Sequence, residues 1–251
     1  MKLAEIQTAL FALTSGEVEP SVEAVGFVAD SGVDPRRRVA VYAEGIRGKS
    51  AHAVSVPFGR VLGYLGEERF VDLFDALNRS RPPERRGLRE LMSALPGFLA
   101  GDERWGRPDL GALAELDLAR HEVSREVGVE PVGPAALAAV EAARWPAARL
   151  TLIPALRLVR LSFDVSGLWK SLDAHLPPPP PVLEATRYAV WRKGLDVYHS
   201  ALSAAEVEAL DRAAAGAPLS EVLAVFDDAD AAHSALHGWF TDGLVGSVNA
   251  S

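Results

Sequence analysis

Apolar residues recur every three or four positions over most of the first half of the chain, and this spacing predicts a series of amphipathic helices. The first stripe consists of Leu3, Ile6, Leu10 and Leu13. Further helices are predicted over residues 67–77, 88–100 and 110–127. The stretches 15–35 and 79–87 contain the glycine, proline and charged residues that are typical of loops.

A longer helix with recognisable start and stop signals is predicted after the first loop. Asp34 is a candidate N-cap residue, and Pro35 takes a first-turn position that tolerates proline. Pro57 and Gly59 are expected to kink or end this helix, because proline cannot donate a backbone hydrogen bond.

The middle of this helix, residues 36–47, is basic and carries a tyrosine. The apolar spacing predicts that Val39, Tyr42 and Ile46 face a core, whereas Arg38 and Arg47 lie off that stripe. The segment therefore raises the question of whether a basic helix face meets nucleic acid or a protein.

The pattern changes to that of strands in the second half. Residues 149–165 are rich in branched apolar side chains, and Pro154 divides them into two short predicted strands. Residues 188–198 are typical of a β-hairpin that turns near Lys193 and Gly194. Five consecutive prolines at 177–181 predict a stiff, extended spacer.

Three helices are predicted to close the chain, over residues 203–215, 219–226 and 229–245. Ser203 and Glu206 have the spacing of a capping box at the start of the first of them. The whole pattern predicts an α+β fold that is mostly α. We expect a helical domain over 1–130, a connector over 131–148, and a small winged-helix-like α/β module over 149–251.

Composition narrows the class of protein. With 49% hydrophobic and 24% charged residues in 251, the chain is typical of a globular protein. No apolar run approaches the roughly 18 residues that span a bilayer. Glu5 and Gln7 interrupt any signal-peptide core, so we expect a cytoplasmic protein. The absence of cysteine excludes disulfides, cysteine–zinc sites and thiol nucleophiles.

Charge is distributed unevenly in this chain of formal net charge −8. Residues 34–89 contain twelve Lys and Arg against seven Asp and Glu, a balance of +5. Residues 203–251 contain one basic residue against eight acidic ones, a balance of −7. Such asymmetry bears on the choice of partners rather than on the fold, although solvated helix faces differ in charge for no functional reason as well.

No motif predicts an enzyme. Residues 48–50 have the Gly-Lys-Ser of a phosphate-binding loop, but Ala43 stands where that loop needs glycine, and the segment reads as helix rather than strand and turn. His233 and His237, with Asp230, share a predicted helix face without the glutamate of a zinc protease. We therefore expect no catalytic residues, no cofactor and no metal site in this chain.

Two segments are candidates for contact with a partner. The first is the basic helix, through Arg38, Tyr42 and Arg47. The second is the end of a predicted strand, where Trp191 and Arg192 precede a lysine. An exposed aromatic ring beside two cations is suited to peptide or nucleic-acid contact alike.

Short motifs follow one another in a defined order along the chain. In the first half they are Gln7, residues 38–42, Arg47, residues 65–68, Phe70, Leu88, Leu91 and residues 96–99, 113–114 and 116–117. In the second half they are residues 155–158, Trp169, residues 190–192 and the segment 210–223 around Gly216. In order and spacing they resemble the HvfC/BufC family, whose N-terminal domain has long been labelled DNA-binding. The resemblance covers most of the chain.

Three positions depart from the family pattern. Gly45 stands where the family often has asparagine, Ala43 where it usually has arginine, and Gly59 where proline usually follows the phenylalanine. Any functional surface that these positions form is altered here.

The resemblance implies a partner role without catalysis. Family members are similar to accessory subunits of multinuclear non-haem iron oxidases, which modify cysteine-containing ribosomal peptides. The helical domain is expected to bind the oxidase, and the C-terminal module to add the precursor's leader peptide as a strand to a sheet edge. The iron would belong to the oxidase.

DNA binding is the alternative function. Phosphate neutralisation by Lys and Arg supplies DNA affinity, and a DNA-binding domain is usually markedly basic. The acidic total and the acidic C-terminal helices disfavour this alternative, while the local balance of +5 keeps it open.

Overall fold

The structure is a computed structural model, and it describes residues 2–14, 18, 21, 23–29, 32–82 and 86–250. The chain divides into two compact units, Met1–Ala94 and Leu95–Ser251. Helices predominate, and the second half adds two small antiparallel sheets, so the predicted α+β, mostly α class is confirmed. The expected domain limits at 130 and 148 stay a prediction. Residues 15–17, 19–20, 22 and 30–31 of the predicted 15–35 loop and residues 83–85 of the 79–87 loop lie outside the described residues.

Helices make up the first unit. They are α1 (Leu3–Thr14), α2 (Pro35–Ser55), α3 (Gly59–Leu65), α4 (Glu67–Ser80) and α5 (Leu88–Gly101), the last of which continues into the second unit. Asp34 is the N-cap of α2, where its carboxylate accepts the backbone N–H of Arg36 at 2.9 Å. A 3-10 turn, Val56–Phe58, separates α2 from α3 at the predicted kink.

The core of the first unit is built on α4, which packs against α2 and α3. Phe70, Leu73, Phe74 and Leu77 are buried at helical spacing, as their stripe predicts. A smaller cluster of Leu13, Val25 and Val39 joins α1 and the 23–28 segment to α2.

One predicted core position of α2 is wrong. Tyr42 is 57% exposed, whereas Val39 is buried and Ile46 is half-buried. At about 100° per residue, Tyr42 lies about 60° from Val39 and about 40° from Ile46, toward the exposed positions Arg38 and Gly45. That rotation places its ring on the solvent side of the helix.

The second unit contains the strands and the remaining helices. The helices are α6 (Pro108–Arg125), α7 (Ala135–Ala138), α8 (Ser166–Asp173), α9 (Ala204–Ala214), α10 (Leu219–Leu223) and α11 (Ala229–Asp242). The strands are β1 (Arg149–Leu152), β2 (Leu156–Leu161), β3 (Thr186–Lys193), β4 (Asp196–Leu202) and β5 (Val245–Asn249). A 3-10 turn, Ala142–Ala147, precedes β1.

Two antiparallel sheets use these strands. β2, β3 and β4 form one sheet in that order, and β1 pairs with β5 in the other. The two strands predicted around Pro154 are confirmed, and they enter different sheets. The hairpin predicted over 188–198 is β3 and β4, with Trp191 opposite Tyr198. α6 packs against all three strands of the larger sheet.

The end of the chain differs from the prediction of a helix up to residue 245. α11 ends at Asp242, because Gly243 adopts the left-handed conformation at φ 79° and stops the helix. The following residues form β5, whose pairing with β1 satisfies backbone groups that a helix would otherwise have used. The capping box of Ser203 and Glu206 on α9 is confirmed.

No helix within the described ranges is both long enough and apolar enough to cross a membrane. The prolines 177–181 are exposed and belong to no helix or strand, as expected of an extended spacer.

The α4 core can be tested by truncation. Leu73→Ala removes a side chain with no exposed area and is expected to lower the free energy of unfolding by about 2–5 kcal/mol. Asp72→Ala, at an exposed neighbouring position, is the control and is expected to change it by less than about 0.5 kcal/mol. Urea unfolding followed by circular dichroism measures both. Equal effects would contradict the assignment of the α4 core.

Candidate functional site

The five predicted partner-binding residues fall into two groups. Arg38, Tyr42 and Arg47 lie on α2 in the first unit, whereas Trp191 and Arg192 lie on β3 in the second. Each group is built from the elements of its own unit.

Arg38 and Arg47 make contacts within the first unit. The Arg38 guanidinium donates to the backbone oxygen of Ala29 at 2.9 Å, which joins α2 to the 23–29 segment. The Arg47 Nε donates to both carboxylate oxygens of Asp75 on α4, at 2.9 and 2.8 Å. This hydrogen-bonded ion pair raises the pKa of Arg47 above its ordinary value. Arg47 therefore helps to fix α2 on α4.

Tyr42 and Arg38 line a groove of about 710 Å³ beside α2, which we call the α2 groove. Its lining is Leu10, Val28, Val33, Arg37, Arg38, Val39, Val41, Tyr42, Gly45, Ile46 and Lys49. The described side chains of the lining are thus apolar or basic. Arg47 lies in a different groove of about 520 Å³, whose lining also includes the carboxylates of Glu44 and Asp75. The structure therefore separates Arg47 from the other two residues.

Trp191 is not the exposed aromatic residue that the sequence predicts. Its side chain is 6% exposed, and its indole N–H donates to the backbone oxygen of Asp242 at 2.9 Å. Trp191 is buried because β3 is the central strand of its sheet. Its ring stacks on that of Tyr198, with centroids 5.8 Å apart. Tyr198 on β4 is the exposed member of the pair, at 44%.

The cations next to Trp191 bind helix ends inside the second unit. Arg192 donates to the backbone oxygen of Glu126 at 2.7 Å, at the C-terminus of α6. Lys193 donates to the backbone oxygen of Thr241 at 2.8 Å, in the last turn of α11. Cations at these positions satisfy terminal carbonyls and complement the helix dipole. Both residues thus contribute to the position of α6 and α11 on the sheet.

The hydrogen-bond pattern of the sheet shows which backbone groups of β4 point away from β3. The N–H of Arg192 donates to the oxygen of Ala155 at 3.0 Å, on the β2 side. Backbone groups of successive residues point to opposite sides of a strand, so those of Trp191 point toward β4. Tyr198 is paired with Trp191, so its backbone groups point toward β3. The β4 residues whose backbone groups point outward are Val197, His199 and Ala201. Among the strands that the structure describes, β4 pairs with β3 alone.

One face of the β4 edge ends in a polar and aromatic cluster. The Arg120 guanidinium of α6 lies 2.9 Å from Nδ1 of His199 and 4.7 Å above the ring of Trp169. The His199 ring meets that of Trp169 edge-on at 4.7 Å. Arginine only donates hydrogen bonds, so His199 accepts through Nδ1 and carries its proton on Nε2.

A buried hydrogen-bond cluster places α8 beside this edge. The Tyr188 hydroxyl donates to Oδ1 of Asp164 at 2.5 Å and lies 2.6 Å from the Ser166 hydroxyl. Burial, followed by the bond to Asp164, raises the pKa of Tyr188 from 10.0 to about 12. Burial raises the pKa of Asp164, whereas the hydrogen bonds that it accepts from Tyr188 and Ser166 lower it. The net result is a pKa of Asp164 below its ordinary value. The cluster joins β3 to the first turn of α8, which carries Trp169.

The histidine pair on α11 has its rings 6.3 Å apart, and both side chains are exposed. His237 lies 3.4 Å from the Thr241 hydroxyl through Nδ1. Within the described ranges, no three His, Asp or Glu side chains come close enough together to hold a metal ion. Asp117 and His121 stand four residues apart on α6, and Asp117 is buried.

The sequence contains a signal for the β4 edge. Tyr198 alternates with Val197 and His199 in a strand of mixed polar and apolar residues, the pattern of a half-exposed edge. The choice between Trp191 and Tyr198 as the exposed ring required the order of the strands.

The chain was compared with known proteins. No protein-family model matches the chain, and no curated protein matches it either.

The Tyr188 cluster predicts a loss of stability at alkaline pH. The raised pKa means that the unfolded state ionises first, near pH 10, so this stability is complete below pH 10 and is lost as pH rises toward 12. The loss is expected to be about 2 kcal/mol. Tyr188→Phe is expected to remove this part of the alkaline slope in unfolding measurements. Tyr198→Phe, which removes an exposed phenol, should keep it; equal slopes in all three proteins would contradict the assignment.

Proposed function

We propose that this protein is a non-catalytic accessory subunit. It binds a multinuclear non-haem iron oxidase in the cytoplasm and presents a ribosomally made, cysteine-containing precursor peptide for modification. The sequence resemblance supports the identity of both partners. The outer edge of β4 is the structural observation that supports the way in which the peptide binds.

Strand addition needs a row of outward backbone donors and acceptors. The outward backbone groups of Val197 and Ala201, on either side of His199, supply N–H groups and carbonyls along β4. An added peptide strand would lie about 4.8 Å from β4 and form a continuous ladder with it. Main-chain bonds of this kind provide affinity for many sequences, as a subunit that presents a variable peptide requires.

Side chains on the two faces of β4 would provide selectivity. Tyr198 offers an exposed ring on one face, and Leu195 in the adjoining turn is 94% exposed. On the other face, the peptide would pass the cluster of Arg120, Trp169 and His199. The aromatic and apolar groups favour apolar peptide residues, which lose contact with water on binding.

Trp191 and Arg192 take an indirect role in this proposal. Trp191 supports the Tyr198 ring from the central strand, and Arg192 holds α6 on the sheet. Arg38 and Tyr42 remain candidates for contact with the oxidase in the first unit. Arg47 contributes there by fixing α2 on α4.

The proposal is tested by recovery of the partners. Tagged protein purified from its native cells is expected to carry an iron-containing oxidase and a small cysteine-containing peptide, identified by mass spectrometry and iron analysis. Absence of an oxidase would contradict the proposal. Retardation of a generic DNA duplex at low salt, lost steeply as salt rises, would favour the DNA-binding alternative instead.

The β4 edge gives a sharper prediction. Ala201→Pro removes one outward N–H but none of the bonds to β3, because Ala201 points its backbone groups away from that strand. The recovered peptide is expected to fall at least about tenfold, the effect of losing roughly 1.4 kcal/mol, while the oxidase is retained. Ala201→Ser keeps the N–H and is the matched control. Full peptide recovery with Ala201→Pro would exclude strand addition at this edge.

A further inference from the structure

The solvent side of α2 presents a row of side chains along the α2 groove. Arg38, Val41, Tyr42, Gly45 and Lys49 follow the helical spacing of i, i+3, i+4, i+7 and i+11, so they share one face. Val41 is 65% exposed and Tyr42 is 57% exposed. Together with Val33, which is 47% exposed and also lines the groove, they form an exposed apolar patch beside the cations.

The described residues that line the groove carry charge of one sign. Arg37, Arg38 and Lys49 line it, and none of its described lining residues is acidic. Arg38 donates to the neutral carbonyl of Ala29, and no carboxylate among the described residues pairs with it. An occupant that brings carboxylates is therefore favoured by charge complementarity.

Gly45 lies at the centre of this face, in the interior of a 21-residue helix. Glycine there destabilises the helix relative to alanine. Nothing lies within 4 Å of the position that a Cβ would take, so packing within the chain does not require glycine. A glycine on the surface of a helix allows the backbone of a bound segment to approach closely.

We propose that the α2 groove binds an acidic amphipathic helix of a partner protein. The apolar side of that helix would pack on Val33, Val41 and Tyr42, and its Asp and Glu residues would pair with Arg37 and Lys49. The distance along α2 from Arg38 to Lys49 is about 17 Å, which matches about three turns of a bound helix.

Two other occupants fit the groove less well. A DNA duplex would bring phosphates against the exposed side chains of Val33 and Val41, which offer no hydrogen bond. A second copy of the chain would bring the acidic helices α9 and α11, whose large apolar residues are buried or, at Val207, half-buried. An amphipathic helix from another protein supplies both the apolar stripe and the carboxylates.

This inference rests on the proposed function only for the identity of the partner protein. It assigns the α2 groove as the surface of the first unit that binds this partner. The oxidase is the candidate owner of the helix. The chemistry of the groove is testable without it.

The experiment uses the full chain and a designed, dye-labelled peptide of about 18 residues, long enough to form a helix. Leucines repeat at i, i+3, i+4 and i+7, and glutamates flank them. Fluorescence anisotropy is expected to show binding that weakens at high salt. A peptide of the same composition, scrambled so that the leucines no longer share a face, is expected to bind at least about tenfold more weakly.

Two glycine variants provide a matched pair on α2. Gly45→Ala is expected to raise Tm and to weaken peptide binding about tenfold, because its methyl group projects into the groove. Gly48→Ala is expected to raise Tm and to leave binding unchanged, since Gly48 is also open but does not line the groove. Lys49→Gln should weaken binding and reduce its dependence on salt.

Several outcomes would overturn the inference. These are equal binding of the designed and scrambled peptides, unchanged binding by Gly45→Ala, or sedimentation showing a dimer that Gly45→Ala disrupts. The last result would identify a second copy as the occupant. Ala201→Pro is expected to leave binding of this peptide unchanged, so failure at β4 and failure at α2 are distinguishable. If no oxidase is recovered but the groove variants change binding of the designed peptide as expected, the proposed function is contradicted and the inference on the α2 groove is not.

Discussion

The arrangement of the second unit depends on β3 being the central strand of its sheet. Its residues Tyr188, Ala189, Val190 and Trp191 are buried in succession, which requires cover on both faces. α6 covers one face, while the Trp191 indole and Lys193 bind the end of α11 on the other. Because β3 is enclosed in this way, β4 is left at the edge, and its outward backbone groups become the surface available to a peptide.

α2 has a comparable organising role in the first unit, where its two sides have different partners. Val39 and the ion pair between Arg47 and Asp75 fix one side to the rest of the unit. The other side presents Val41, Tyr42 and Gly45 to solvent between cations. A single helix thus combines core packing with a surface suited to an acidic partner, and each compact unit carries one candidate binding surface.

Basic residues in this chain have two distinct roles, and residue type alone does not separate them. Arg192 and Lys193 bind carbonyls at helix ends, and Arg47 binds a carboxylate on the neighbouring helix. Arg37 and Lys49 instead line an apolar groove in which the described residues include no acid. The local excess of positive charge therefore overstates the cationic surface offered to a partner, which weakens the case for DNA.

Local spacing in the sequence is sufficient to predict the α4 stripe, the Asp34–Pro35 start of α2, the hairpin at 188–198 and the capping box at Ser203. Which residues are exposed depends instead on how these elements pack. Trp191 is buried and Tyr198 exposed because of strand order, and Tyr42 lies outside because only one side of α2 packs. β5 exists because β1 supplies its partner. Burial and pairing depend on residues far apart in the chain, and no local pattern contains that information.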